Sequence, residues 1–326
     1  MRFLVRLVVG LVLLVVAGAS TVLVATEVRW TRTFDAPYPE LSATTDPATI
    51  ARGKYLVYGA AACAYCHVPR EAWTRLDDGA TPPLTGNHVF RLPFGEFFSP
   101  NLTPDPETGI GRHSDRALAR TLRYGVRPDG RAAFPLMSFH GMSDDDLVAV
   151  ISFLRSQPPV VSRVPDHRLS RLGKALMAFA IEPVGPDSAP AHVSPDAPSV
   201  ARGEYLATKV ASCVECHTDR NPRSGELVGP KFGGGQRMDL AADADTVAVP
   251  PNLTPDPKTS PIGWWTEDAF LVRFRQGPLV EGTPMPWGAF ARMTDDDKRS
   301  IFRYLRTLRP YEHDTGPVMQ RRTGKQ

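Results

Sequence analysis

The chain has 326 residues, of which 42% are hydrophobic and 22% charged, an ordinary globular composition with room for two modest domains. Its 32 prolines exclude long regular sheets and predict an extended, loop-rich chain. The formal charge of +3, with no block of Lys and Arg interleaved with aromatics, excludes nucleic acid as a partner.

In chain order, the first element is Leu7 to Thr26, an uncharged apolar run of about 20 residues, long enough to cross a bilayer as a helix. A cleavable secretory signal is the alternative, with Arg2 and Arg6 as the basic start and Ala17-Gly18-Ala19 as the cleavage site. The apolar run continues beyond that site, which favours an uncleaved anchor. Arg2 and Arg6 are balanced by Arg29 and Arg32, so charge counting does not set the orientation; Trp30 suits the interfacial belt. The anchor is assigned to 1–30 and a linker to 31–48.

From there the sequence repeats itself. ARGKYL at 51–56 returns as ARGEYL at 201–206, CAYCH at 63–67 as CVECH at 213–217, NLTPDP at 101–106 at 252–257, and SDDD at 143–146 as TDDD at 294–297. Four matches in register over roughly 110 residues mark two copies of one domain, placed at 49–160 and 199–312. Between them, 161–198 is a proline-rich linker with a short helix around Leu169 to Ala180, and 313–326 is a polar tail expected to be mobile. Within the copies, Asp46-Pro47 opens a helix through residue 59. Helices at 114–125 and 266–277 start on Ser or Thr and stop at Gly, and those at 142–156 and 293–307 start on a hydroxyl followed by three acids. The intervening chain is expected to be loop, too poor in apolar packing to hold together without something large at its centre.

The two pentapeptides use all four cysteines. A structural zinc site would need further ligands at knuckle spacing in both copies, and a redox dithiol would need a βαβ setting; neither is present. Covalent attachment of a c-type haem explains the pattern: two thiols one turn apart add to the vinyl groups, and the adjacent histidine lies under the ring. Cys63, Cys66, Cys213 and Cys216 are therefore the expected attachment sites of two covalently bound haems c, with His67 and His217 as proximal iron ligands. For the sixth position Met285, between two prolines, and Met137, near Pro135, are the candidates. Met142 and Met293 precede helix caps, where a stapling role suffices, and His140 competes with Met137. Gly53 and Gly203 are expected to let the first helix of each copy approach the last, with Tyr55 and Tyr205 in the contact. Asn101 and Asn252 are read as turn residues before propionate ligands. Arg112, Arg123 and Arg127 are possible propionate partners, although solvated arginines are commoner. His88, His113, His167, His192 and His313 are assigned to the surface.

Both CxxCH motifs, NLTPDPETGIG at 101–111 with its Ser-capped helix, GVRPDGR at 125–131 and MSDDDLVAVISFLRSQPPV at 142–160 give the chain its resemblance to class I c-type cytochromes. It is most similar to the duplicated dihaem type found as cytochrome subunits of bacterial membrane-bound alcohol and aldehyde dehydrogenases. This sequence has two CxxCH motifs where such subunits commonly carry three haems. The resemblance implies a mainly α fold: an N-terminal transmembrane helix followed by two tandem class I cytochrome c domains with long loops around haem. It implies an electron-transfer protein, not an enzyme, in the bacterial cytoplasmic membrane, with its haem domains on the periplasmic side. The expected partners are redox proteins: a dehydrogenase, a quinol-oxidising complex or a terminal oxidase. A dihaem peroxidase with one open haem is the enzymatic alternative, and a subunit that chiefly docks a catalytic partner at the membrane is the third reading.

Overall fold

The computed structural model describes residues 2–322 except 135, 136, 138, 187–190, 193–196, 222–224, 241 and 242, so parts of the expected linker, the last four tail residues and Pro135 lie outside the described residues. The molecule is mainly helical. Helix α1 (Arg2–Arg29) is long and apolar enough to cross a membrane, and among its described residues only Thr26 is buried. The segment at 31–48 is not a free linker. It is strapped to the first copy because Phe34 N–H donates to the Gly130 carbonyl, Ala43 N–H to Asp115 and Thr44 N–H to Ser152.

The first copy contains α2 (Pro47–Tyr58), α3 (Cys63–His67), α4 (Trp73–Asp77), α5 (Asp115–Tyr124) and α6 (Asp144–Ser156). A hairpin of β1 (Val89–Leu92) and β2 (Gly95–Phe98) is extended by β3 (Arg168–Leu169), which leads into α7 (Arg171–Phe179). The second copy contains α8 (Val200–Tyr205), which runs on through a π turn at Leu206–Val210, then α9 (Cys213–Cys216), α10 (Glu267–Arg275), α11 (Trp287–Ala291) and α12 (Asp295–Thr307). Its sheet joins β4 (Met238–Leu240), β5 (Asp243–Ala248) and β6 (Met319–Arg321). These strands correct the expectation that everything between the helices is loop, and β6 corrects the expectation of a mobile tail. Strands of two to six residues are too short to show a period-2 pattern, and β3 and β6 are held by partners distant in sequence.

Helix starts follow local chemistry. Asp46 accepts from Thr49 N–H, Ser114 from Ala117, Ser143 from Asp146, Thr266 from Ala269 and Thr294 from Asp297, each satisfying an amide that the first turn leaves free. The first and last helices of each copy then cross at a glycine. A Cβ on Gly53 would sit 1.9 Å from the Ala149 carbonyl oxygen, and one on Gly203 1.8 Å from that of Ser300, so only glycine permits the approach. Beside each crossing an arginine clamps an aspartate. Arg52 holds Asp146 through Nε and Nη2 at 2.9 and 3.0 Å, and Arg202 holds Asp297 at 2.5 Å.

The tyrosines of the repeated ARGxY stretches do not lie in their own copy's helix contact, as expected, but reach across. Tyr55 O–H donates to Asp297 of the second copy and accepts from Thr294 N–H. Tyr205 O–H donates to Asp146 of the first at 2.8 Å and accepts from Ser143 N–H at 3.0 Å. The two copies thus meet through one contact made twice, in opposite senses. They also share a core, in which Leu56, Leu147 and Leu154 belong to the same buried cluster as Leu206, Ile301 and Leu305.

Candidate functional site

Each CxxCH forms a single helical turn launched from a left-handed residue. Ala62 has φ 51° and Ser212 φ 49°, non-glycine residues in the left-handed region that glycine favours, at a cost of roughly 1–2 kcal/mol each. The same strain at the same point in both copies marks the turn as built for a task. One turn places Cys63 with Cys66, and Cys213 with Cys216, on one helix face, and the next residue is the histidine.

The histidines are buried and oriented alike. His67 Nδ1 lies 3.0 Å from the Pro100 carbonyl oxygen and His217 Nδ1 2.9 Å from that of Pro251. A carbonyl only accepts, so Nδ1 carries the proton and Nε2 keeps its lone pair, the arrangement that readies an imidazole for a metal. Burial lowers the His67 pKa to about 4 and lowers that of His217, so both rings are neutral at pH 7. The accepting prolines belong to the repeated loop, which is fastened from inside. Asn101 Nδ2 donates to the Val160 carbonyl, and its Oδ1 accepts from Thr103; Asn252 repeats this with the Tyr311 carbonyl and Thr254. The asparagines are turn residues, as expected, and their effect is to set the acceptor for each histidine.

Both pentapeptides open on one continuous cavity of about 1910 Å³, with Met137 and Met285 also in its wall. Single-ligand pockets run to roughly 1,000 Å³, so this space suits two large occupants. The walls are apolar, from Leu102, Ile110 and Leu154 in the first copy to Ile262, Phe270 and Leu305 in the second. Met285 is held in a stiff turn: it sits between Pro284 and Pro286, Trp287 N–H donates to its carbonyl, and the Trp287 ring lies under Arg273 at 3.7 Å and donates to Thr283. Met293 lines the cavity as well, but directly precedes the Thr294 cap. Met142, 2% exposed, and His140 do not line it.

The cavity also contains buried polar atoms without a protein partner. The Trp73 Nε1, His88 Nδ1 and Ser212 Oγ are all unsatisfied, and all three residues line it; Trp73 stacks on His88 at 5.1 Å. Arg70, Arg112 and Arg127 add positive charge to the same wall. Arg123 does not: it is spent on the His140 and Met142 carbonyls and on Asp144. His88 thus corrects its surface assignment, being 8% exposed, and His113 and His167 line the cavity, whereas His192 is exposed. His313 is half-buried, with Nδ1 on the Gly233 carbonyl.

These residues fit haem and not the other readings. Burial pushes the Cys63 and Cys213 thiols up to about 12 and Cys66 to about 11, the reverse of the lowered value a redox dithiol needs. Among the described residues no group of three or more His, Cys, Asp or Glu is arranged to hold a metal ion by itself, against a zinc site. A large flat apolar group with carboxylate substituents matches the wall and the orphaned polar atoms, the Trp73 N–H among them. Pro100, Pro251, Trp73 and His88 were missed in the sequence. Only the residue before each repeated NLTPDP, proline in both copies, carried a signal.

A duplicated CxxCH turn with a carbonyl-oriented histidine on an apolar cavity is the arrangement that c-type cytochromes use to hold haem. The chain is a relative of the dihaem members of that class. It is 28% identical over 83% of its length to the cytochrome c subunit of the alcohol dehydrogenase (quinone) of Komagataeibacter europaeus, spanning 58% of that protein. It is also 28% identical over 83% of its length to the fructose dehydrogenase cytochrome subunit of Gluconobacter japonicus, spanning 54% of it. Against a dihaem cytochrome c-type protein of Cereibacter sphaeroides it is 27% identical over 92% of its length and spans 96% of the relative. The chain therefore spans little more than half of the dehydrogenase subunits named here. No family model matches it.

Proposed function

We propose that the protein is a membrane-anchored dihaem cytochrome c that relays single electrons in a periplasmic or respiratory chain, and that residues 49–160 and 199–312 are its two cytochrome c domains. The observation that carries this reading is the pair of buried histidines, each with Nδ1 tied to a proline carbonyl, opening on one cavity whose wall holds a methionine from each copy. Covalently bound haem would supply a reversible one-electron couple at each site. Cys63 and Cys66, and Cys213 and Cys216, fix its position. His67 and His217 present Nε2 to the iron, Met137 and Met285 supply thioethers, and Trp73 and His88 offer N–H donors to an acidic edge. Thioether ligation raises the reduction potential, which suits a carrier.

Helix α1 anchors the chain in the cytoplasmic membrane. Haem attachment outside that membrane puts its N-terminus inside and both domains on the periplasmic face. A dehydrogenase that passes its electrons to this cytochrome is the partner class that the relatives favour, and a quinol-oxidising complex or terminal oxidase fills the same role. A methionine available in each copy argues against a peroxidase, which needs one open iron. The reading is tested by the mass and spectrum of the protein purified from membranes. Two haems retained through denaturation and low-spin spectra at both sites are expected. A mass equal to the bare chain overturns it, as does turnover of hydrogen peroxide by a high-spin site.

A further inference from the structure

Helix α7 lies where α1 ends. Lys174 pairs with Glu27 at 2.6 Å and stands 5.2 Å from the Trp30 ring, Arg29 packs over the Phe179 ring at 5.7 Å, and Arg32 donates to the Ile181 carbonyl at 2.9 Å. These contacts fall at residues 27–32, the level at which the apolar run of α1 finishes. The other side of α7 is secured to the first copy. Ser170 caps it and donates to the Phe94 carbonyl, Gly173 approaches that carbonyl so closely that a Cβ would lie 2.2 Å away, and Met177 lines the cavity.

What remains is an apolar outer stripe. Leu172, Leu176 and Phe179 recur at helical spacing, and Leu172 and Phe179 are 58% and 49% exposed. The stripe is bordered by Arg171 beside Leu172 and by Arg29 over the Phe179 ring. Exposed leucine and phenylalanine bordered by cations, on a helix bonded to the end of a membrane span, is the pattern of a helix lying in the bilayer interface. We propose that α7 is such an interfacial helix, its Leu172–Phe179 stripe resting in the headgroup and acyl boundary, so that the first copy's cavity is held at a set height and tilt above the membrane. This rests on the reading of α1 as an anchor.

The test uses the full-length haem-loaded protein in vesicles of phosphatidylethanolamine and phosphatidylglycerol containing a lipid with a photoactivatable diazirine near the glycerol. After irradiation, adducts are mapped by mass spectrometry. The expected result is lipid on residues 171–181 as well as on α1, with the 171–181 adducts lost and those on α1 kept in the Leu172→Glu, Phe179→Glu double variant. Labelled α1 with unlabelled 171–181 overturns the interfacial helix alone. Absence of lipid on α1 overturns the anchor, and the interfacial helix with it.

Discussion

At the scale of single residues, the two copies differ in what surrounds the cavity wall near each CxxCH. Gly86 and Gly234 bond the carbonyls of their copies' CxxCH histidines alike, yet two residues on, His88 in one copy is matched by Gln236 in the other. Burial, and then the charge of Arg70, hold the His88 pKa below its ordinary value of 6.5, with Glu71 opposing. The unfolded chain therefore takes up this proton before the folded one does. The stability it supports is complete above about pH 6.5 and drains away as pH falls through the folded value. In denaturant titrations, stability of the native protein should fall more steeply between pH 7 and 5 than that of His88→Gln. Coincident slopes would mean that the ring takes up its proton at the same pH folded and unfolded. A second prediction concerns the thioether: Met285→Ala should remove part of the weak red absorption that sulfur–iron ligation gives ferric haem and lower one of the two potentials. Potentiometry that finds both potentials unmoved would place the ligand elsewhere. The CxxCH residues were legible because attachment chemistry needs them adjacent. Trp73, His88 and the acceptor carbonyls of Pro100 and Pro251 were not, because their significance comes from neighbours more than a dozen residues away.

At the scale of elements, the helices could be read from their ends, because a cap bonds an amide three residues on and needs nothing distant. The strands could not, since β3 and β6 exist only through pairing with chain far away in sequence. The glycine in each ARGxYL was readable as a close approach, and its stringency follows from the backbone oxygen facing it. Gly53→Ala and Gly203→Ala should each cost about 3 kcal/mol, because the obstructing atoms are backbone carbonyls that cannot rotate aside. Chemical denaturation measures this; a loss under about 1 kcal/mol would show that the helix pairs can slide apart and repack.

At the scale of the whole molecule, the crossed tyrosines make the two copies one folding unit. Each hydroxyl bridges to the capped start of the other copy's last helix, and each such bond contributes about 1 kcal/mol. Tyr55→Phe with Tyr205→Phe should leave both copies folded but loosen their union, seen as calorimetric unfolding that separates into two transitions; a single unshifted transition would show that the shared apolar core suffices. Contacts exchanged so evenly are what identical subunits make around a twofold axis. The chain carries inside itself a pairing of the kind a homodimer makes, its halves joined by the segment at 161–198. Covalent linkage frees such a pair from dilution: an association that between separate subunits would depend on their concentration is a fixed property of every molecule, and each half can differ from the other without losing its mate.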